Sequence, residues 1–218
     1  MYIVYLGDVG STSDQPTGDI ESRFQVACAV IVKHELFPEI EEFFAAMSEY
    51  LPGESHDSSS HDSSNEFQTA DMLKAEVVSS YGMPVLYSAV DKQRLREQVF
   101  STADPLDVAL RRCAEGIEKW FAERAPGELG LLIADEGNKW KAAVHIVFRQ
   151  PRRQASPAGR KLSHLSEDIY FADSGSSKCI QLANICGRAI LGHLAGAAES
   201  EDLYACIKNQ IYFSKLEA

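Results

Sequence analysis

The segment from Ser174 to Asn184 constrains the possible folds of this chain more than any other part of the sequence. It begins with small residues, as a turn after a strand does, and continues with the apolar pattern typical of a helix. A second short motif, Tyr5 to Gly10, follows an apolar start at the other end of the chain. An acidic residue at a strand end and a polar side chain on a distant helix can meet at one metal-dependent site. The two motifs therefore predict a sheet whose edge carries a site.

The apolar pattern along the chain predicts strands and helices that alternate after a first hairpin. This indicates an α/β fold with a mixed central sheet flanked by helices, in a single domain over 1–218. We expect strands at 1–6, 23–32, 85–90, 129–134 and 168–172. We expect helices at 38–50, 66–80, 104–124, 138–149, 176–197 and 201–213, with 144–148 as a possible strand instead. Residues 7–18 are interpreted as turn and loop.

Composition narrows the class of protein. With 45% apolar and 24% charged residues, the chain has the composition of a soluble globular protein, and no apolar run reaches the ~18 residues that would span a bilayer. The start of the chain lacks the basic and apolar regions of a signal peptide. Five scattered cysteines without a CxxC pair argue against a zinc ribbon or a disulfide scaffold. We therefore expect reduced, mostly buried thiols, a cytoplasmic location and no membrane partner.

A local basic strip interrupts the strongly acidic composition of the chain. The formal net charge of −11 argues against loose binding of nucleic acid over the whole surface. The strip nevertheless places five positive charges in thirteen residues without an acidic one, at Arg149, Arg152, Arg153, Arg160 and Lys161. It is either a solvated loop or a contact for nucleic acid.

The segment 53–65 is of low complexity, because His-Asp-Ser-Ser occurs in it twice. Its four metal-capable side chains are His56, Asp57, His61 and Asp62. The serine-rich spacers between them offer no rigid support for metal ligands. We therefore expect a flexible loop here.

Two aspartates lie where strands are predicted to end. Asp8 follows the first strand, and Asp135 follows a buried central strand. Carboxylates that are brought together repel each other unless a divalent cation neutralises them, and two such cations can activate water at a phosphodiester. Hard oxygen ligands favour Mg²⁺ or Mn²⁺ over zinc. The alternative for either residue is an ordinary turn or helix-cap aspartate.

The order of four short motifs resembles the domain of unknown function 3800 family. These motifs are Tyr5 to Gly10, Glu66-Phe67-Gln68, Leu132 to Glu136, and Ser174 to Asn184. The resemblance extends from Tyr2 to about Leu194 and implies a ribonuclease H-like fold. In that family, acidic side chains on strand ends and on one late helix are proposed to bind metal.

The resemblance assigns roles residue by residue. Glu66 and Asp135 match acidic positions of the family, and Asp8 matches the second acidic residue of the opening motif. Gly7 replaces the first acidic residue, and Asn184 replaces the aspartate of the late helix. An asparagine can still coordinate metal through its carbonyl oxygen, but it adds no negative charge. Asp8 cannot simply replace a ligand at position 7, because neighbouring strand residues point to opposite faces unless a bulge intervenes.

Two functions follow, and the sequence leaves open whether the chain is an enzyme. The first is a metal-dependent nuclease that uses Mg²⁺ or Mn²⁺, with Asp8, Glu66 and Asp135 as ligands and Asn184 as a neutral fourth. The second is a relative that has lost hydrolysis and serves as a binding or partner-recognition module. Asp173 is either a substitute ligand or a turn residue. The orientation of Asp8 and Asp173 relative to Asp135 distinguishes the two functions.

Overall fold

A six-stranded mixed sheet lies at the centre of the structure. The computed structural model describes residues 1–10, 20–50, 63–97, 103–153 and 162–217. The strands are β1 Tyr2–Val9, β2 Phe24–Lys33, β3 Val85–Asp91, β4 Gly130–Asp135, β5 Leu165–Ala172 and β6 Ile211–Glu217. They lie in the order β5-β4-β1-β2-β3-β6. Only β2 runs antiparallel to its neighbours, so the other five strands all end at one edge of the sheet, here called the carboxyl edge.

Helices cover both faces of this sheet. They are α1 Phe37–Tyr50, α2 Ser63–Ser80, α3 Lys92–Glu97, α4 Pro105–Arg124, α5 Asn138–Arg153, α6 Lys178–Ala195 and α7 Glu201–Ile207. One apolar core joins the sheet to α1, α2, α6 and α7, and we call this side the α6 face. A second core joins the sheet to α3, α4 and α5, and we call this side the α4 face. The predicted α/β class with a mixed, helix-flanked sheet is confirmed.

The sequence of the central strands explains their place between the two cores. The first nine residues of β2 are all buried, as expected for an apolar strand covered on both faces. In β1 the side chains alternate: Ile3 and Tyr5 contribute to the core of the α6 face, and Val4 and Leu6 to that of the α4 face. This alternation determines where the polar residues at the end of β1 point.

The predicted end of the first strand is wrong. Strand β1 continues to Val9, and its pairing with β2 is unbroken up to the pair formed by Val9 and Val26. Residues 7–9 are therefore strand rather than loop, because cross-strand hydrogen bonds with β2 continue past the apolar run that the prediction followed. Asp8 thus lies inside a strand instead of after it.

The predicted helix at 201–213 is confirmed for 201–207 and wrong beyond Ile207. Helix α7 ends at Ile207, and β6 then adds to the outer side of β3 in parallel. Strand β6 packs against α4 through Phe213: a Cβ placed on Gly116 would lie 2.5 Å from the ring of Phe213. The absence of a side chain at Gly116 therefore allows the strand to approach the helix.

Helix α5 changes the interpretation of the basic strip. The helix includes 144–148, which excludes the alternative strand there, and it continues to Arg153. Arg149, Arg152 and Arg153 therefore lie in the last turns of a helix and not in a loop. Arg160 and Lys161 lie outside the described residues.

Three other expectations have outcomes in the structure. The expected loop at 53–65 is wrong for its last three residues, which belong to α2, and 53–62 lies outside the described part of the chain. The thiols of Cys28, Cys113, Cys179 and Cys186 are free and buried, as predicted. Across the described ranges, no helix combines the length and apolarity needed to cross a membrane.

Candidate functional site at the carboxyl edge of the sheet

The two aspartates predicted from the strand ends lie on neighbouring strands at the carboxyl edge. Asp8 is one residue before the end of β1, and Asp135 is the last residue of β4. The two strands are parallel, and their last pair is Leu6 with Ala134, two residues before Asp8 and one before Asp135. The fold therefore places on neighbouring strands two residues that are 127 positions apart in the sequence.

Helix α6 brings Asn184 against Gly7 on the α6 face. The helix starts after Ser177, whose hydroxyl accepts a hydrogen bond from the Ile180 amide at 3.4 Å. It lies very close to β1, because a Cβ on Gly187 would be 2.7 Å from Val9 Cγ2. A Cβ on Gly7 would be only 2.0 Å from Asn184 Oδ1. The asparagine side chain thus fills the space that any side chain at position 7 would need.

Asn184 also binds the neighbouring carboxylate directly. Its Nδ2 donates a hydrogen bond to Asp135 Oδ2 at 3.0 Å, and the Glu136 amide donates to Asp135 Oδ1 at 2.7 Å. Because a carboxylate can only accept here, the Asn184 amide nitrogen must face Asp135 and its oxygen must face Gly7. That oxygen, Asn184 Oδ1, is buried and has no hydrogen-bond partner among the described residues.

Asp8 points to the other face of the sheet. The pairing of β1 with β2 contains no bulge through Val9, so Asp8 continues the α4-face series of Val4 and Leu6. Its Oδ2 accepts a hydrogen bond from Gln25 Nε2 at 3.3 Å. Burial, and then repulsion by the nearby Asp135, raise the pKa of Asp8 from 3.8 to about 6, although the Gln25 hydrogen bond partly opposes this rise. Asp8 and Asp135 therefore interact electrostatically across the rim of the sheet but do not face each other.

Replacing Asp8 by asparagine should stabilise the protein at alkaline pH and have little effect at acid pH. The pKa of Asp8 in the folded state lies above its ordinary value, so the folded protein binds this proton more tightly than the unfolded chain does. The cost of burying the charge is absent below about pH 4 and complete above about pH 6. We expect Asp8→Asn to gain about 3 kcal/mol of unfolding free energy at alkaline pH, because the pKa rises from 3.8 to about 6 and each pKa unit corresponds to about 1.4 kcal/mol.

Urea unfolding of the Asp8→Asn variant on both sides of this pH window is the measurement. Asp168→Asn, on the exposed side of β5, is a matched control that removes the same charge from the surface. If the unfolding free energy rose equally at both pH values, or rose equally in the Asp168→Asn control, the cost of burying a charge could not be assigned to Asp8.

Asp173 does not turn toward Asp135. It follows Ala172, which is paired with Asp135 in the sheet, so its backbone is close to the site. Its carbonyl accepts hydrogen bonds from the amides of Ser176 and Ser177, and its exposed carboxylate lies over its own turn, with Oδ2 3.0 Å from a Cβ placed on Gly175. The structure thus places Asp173 as a residue of the turn before α6.

Glu66 lies in α2, which packs beside α6 on the α6 face. An ion pair of 2.8 Å between Asp71 and Arg188 joins the two helices one turn beyond Asn184. Glu66 lies five residues before Asp71 in the same helix. The side chain of Glu66 is outside the described part of the structure.

The described side chains do not fit a centre of two Mg²⁺ or Mn²⁺ ions. Such a centre needs several carboxylates that face the same space. Within the described residues, no three histidine, cysteine, aspartate or glutamate side chains are placed to hold a metal. Asp8 and Asp135 point to different faces, and Asn184 directs an N–H group at the Asp135 oxygen that a cation would use.

Two residues of this edge were missed by sequence reasoning. Gln25 is 3% exposed and donates a hydrogen bond to Asp8. The sequence does contain a signal for it, because Gln25 is a polar residue inside the apolar run of β2. Trp140, near the start of α5, is 3% exposed, and its indole N–H has no hydrogen-bond partner among the described residues. Nothing in the local sequence distinguishes Trp140 from an ordinary core residue.

Comparison with protein-family models gives no match for this chain, and no curated protein matches its sequence.

Proposed function

We propose that this chain is a nuclease-like protein that binds a nucleic-acid strand at the carboxyl edge of its sheet without hydrolysing it. The contact of Asn184 with both Gly7 and Asp135 carries the proposal. The family pattern would place a carboxylate at position 7 and another at position 184. This chain has Gly7, which has no side chain, and Asn184, whose neutral amide packs against it. The four free, buried thiols support a reducing, cytoplasmic setting for this activity.

The charge available for metal is correspondingly small. The described edge offers Asp8 and Asp135, and about half of Asp8 would carry a proton near pH 6. Loss of ligand carboxylates removes most of a metal site's affinity, since even the residues that only support the ligands are worth ~10–100-fold. A bound strand would therefore be held at this edge without an activated water molecule.

Metal-dependent hydrolysis is the alternative, and one observation favours it. The repulsion between Asp8 and Asp135 that raises the pKa of Asp8 is the kind of interaction that a divalent cation relieves. In that case Asp8 and Asp135 would first have to turn toward the same space, because they point to different faces of the sheet in this structure. The ligands of Mg²⁺ or Mn²⁺ would then be Asp8, Asp135 and Glu66 of α2, with Asn184 as a neutral one.

Short labelled oligonucleotides test the two functions together. Fluorescence anisotropy with single-stranded RNA, single-stranded DNA and an RNA–DNA hybrid, in EDTA, measures binding. Denaturing gels of the same mixtures with Mg²⁺ or Mn²⁺ measure cleavage. We expect binding without cleavage, and binding that persists in Asp135→Ala.

Two outcomes would contradict the proposal. Cleavage that requires Mn²⁺ or Mg²⁺ and disappears in Asp135→Ala would establish the hydrolase instead. Absence of binding to all three probes at low salt would exclude nucleic acid as the ligand.

A further inference from the structure

Strand β5 is one of the two edge strands of the sheet, and its two halves differ. Among the described strands only β4 pairs with it, so its outer side has no strand beside it in that part of the chain. The register shifts between Leu165 and Ile169, where the exposed Glu167 and Asp168 lie. From Ile169 to Ala172 the pairing is regular and no residue is charged. Bulges and charges normally protect an edge strand from pairing with another chain, and this segment, here called the open half of β5, has neither.

The other edge strand, β6, is protected by charge. Its Lys215 is half exposed, and its Glu217 pairs with Arg112 of α4 at 2.8 Å. A lysine on an edge strand opposes the addition of another strand, because the contact would remove its charge from water. The open half of β5 is therefore better suited to accept a further strand than β6 is.

A half-exposed tyrosine lies in the open half of β5. Tyr170 is 51% exposed and pairs with Ile133 of β4, which pairs in turn with Tyr5 of β1. Tyr5 is buried in the core of the α6 face, and Ile133 packs against that core. The row thus extends from the core to the outer side of the sheet on one face. A strand added beside β5 would continue this row, and an apolar side chain on it would cover the tyrosine ring.

The charged residues of β5 and of the turn that follows it are all acidic. Glu167 and Asp168 precede the open half, Asp173 follows it, and all three are exposed. A second copy of this chain would bring three further carboxylates to the same place. A segment with basic residues on both sides of an apolar centre complements the charge instead.

Two lysines near this strand have other contacts. Lys141 of α5 forms an ion pair with Glu136, and its Nζ lies 5.5 Å from the ring centre of Phe171. Lys178 of α6 extends to α1, where its Nζ lies 5.5 Å from the ring centre of Phe44. Even when both lysines and Glu136 are counted with the three carboxylates, the described side chains here keep an excess of two negative charges.

We propose that the open half of β5 binds an extended segment of a partner protein, which adds to the six-stranded sheet as a further strand. The segment has apolar side chains at its centre and lysine or arginine at both ends. Backbone hydrogen bonds to β5 supply the affinity, and contacts with Tyr170 and with the three carboxylates select the sequence. The inference does not rest on the proposed function, because it concerns the outer side of β5 and not the carboxyl edge.

Selection from a displayed library of random octapeptides tests the proposal, with the unmodified full chain as the target. We expect the enriched peptides to combine β-branched or aromatic residues with an excess of lysine and arginine. Their affinity is then measured by fluorescence anisotropy with labelled synthetic copies. Tyr170→Lys removes the apolar contact and places a charge on the open half, so it should weaken binding about tenfold or more.

Leu216→Lys is the matched control, because Leu216 is also 51% exposed and lies on β6, the other edge strand. It adds the same charge and should leave the affinity for the peptides unchanged. Hydrogen exchange of the unmodified protein should become slower over 169–172 when peptide is bound, and should stay the same over 212–216. Circular dichroism melting confirms that both variants are folded.

Four outcomes would overturn the proposal. A library without enriched peptides, or peptides that bind Tyr170→Lys as tightly as the unmodified protein, would exclude a strand-binding role for β5. Enriched peptides without an excess of basic residues would refute the assigned charge of the partner. A dimer in sedimentation velocity that Tyr170→Lys dissociates would assign the open half to a second copy of this chain.

Discussion

Gly7→Ala should destabilise the protein by about 2 kcal/mol, within the 1–3 kcal/mol range of overpacked cores. Gly7 lies in a regular strand paired with Cys28, where alanine would ordinarily be tolerated or favourable. Here its Cβ would lie 2.0 Å from Asn184 Oδ1 and 3.2 Å from Asn184 Cγ. The asparagine would have to move, and its hydrogen bond to Asp135 would break. Urea unfolding of the variant and of the unmodified protein measures the decrease in unfolding free energy.

A double-mutant cycle identifies the cause of that loss. In an Asn184→Ala background the methyl group of Gly7→Ala has room, so its cost should nearly vanish, which gives a coupling of about 2 kcal/mol. Gly137→Ala is the matched control, because its Cβ meets only Trp140 Cβ at an ordinary 3.4 Å. Additive effects of the two substitutions would show that the Gly7–Asn184 contact does not determine the loss.

Asn184→Asp should cost about 2–3 kcal/mol in the presence of EDTA. The substitution replaces the N–H donor to Asp135 by an acceptor, and a hydrogen bond to a charged group is worth about 1.5–3 kcal/mol. It also adds a negative charge next to Asp135. For a domain of this size, we expect a decrease in Tm of about 6 °C or more.

Added Mn²⁺ distinguishes this explanation from simple loss of packing. The variant has a second carboxylate on the face that Asp135 uses, so Mn²⁺ should raise its Tm more than that of the unmodified protein. Asn209→Asp, at an exposed position after α7, makes the same chemical change away from the edge and should have little effect. An Asn184→Asp variant that is as stable as the unmodified protein in EDTA would refute the assigned role of the Asn184 amide.

The sequence predicted the strands that carry the site better than it predicted the ends of those strands. Apolar runs identify β2 and β4 directly, because burial on one or both faces selects their residues. Such runs say nothing about the polar end of β1, where pairing with β2 extends the strand to Val9. The alternation rule nevertheless predicted that Asp8 could not take the place of a ligand at position 7 without a bulge, and the structure has no bulge there.

The wrong end of the first strand and the missed strand β6 have a common physical origin, because both depend on contacts between distant segments of the chain. Strand β6 exists because it pairs with β3 and because Gly116 leaves room for Phe213, and both partners are far away in the sequence. The same holds for the contact of Gly7 with Asn184. The two residues are 177 positions apart in the sequence, and only the fold shows that they touch. Local propensity contains no information about either contact.

The contact between Gly7 and Asn184 also constrains how this sequence can change over time. A side chain introduced at position 7 would displace the asparagine, because even a methyl group would overlap it. A carboxylate at position 7 thus requires an earlier or simultaneous change at position 184. Substitutions at positions 7 and 184 are therefore coupled, and the order in which the two positions change determines how much stability each step costs.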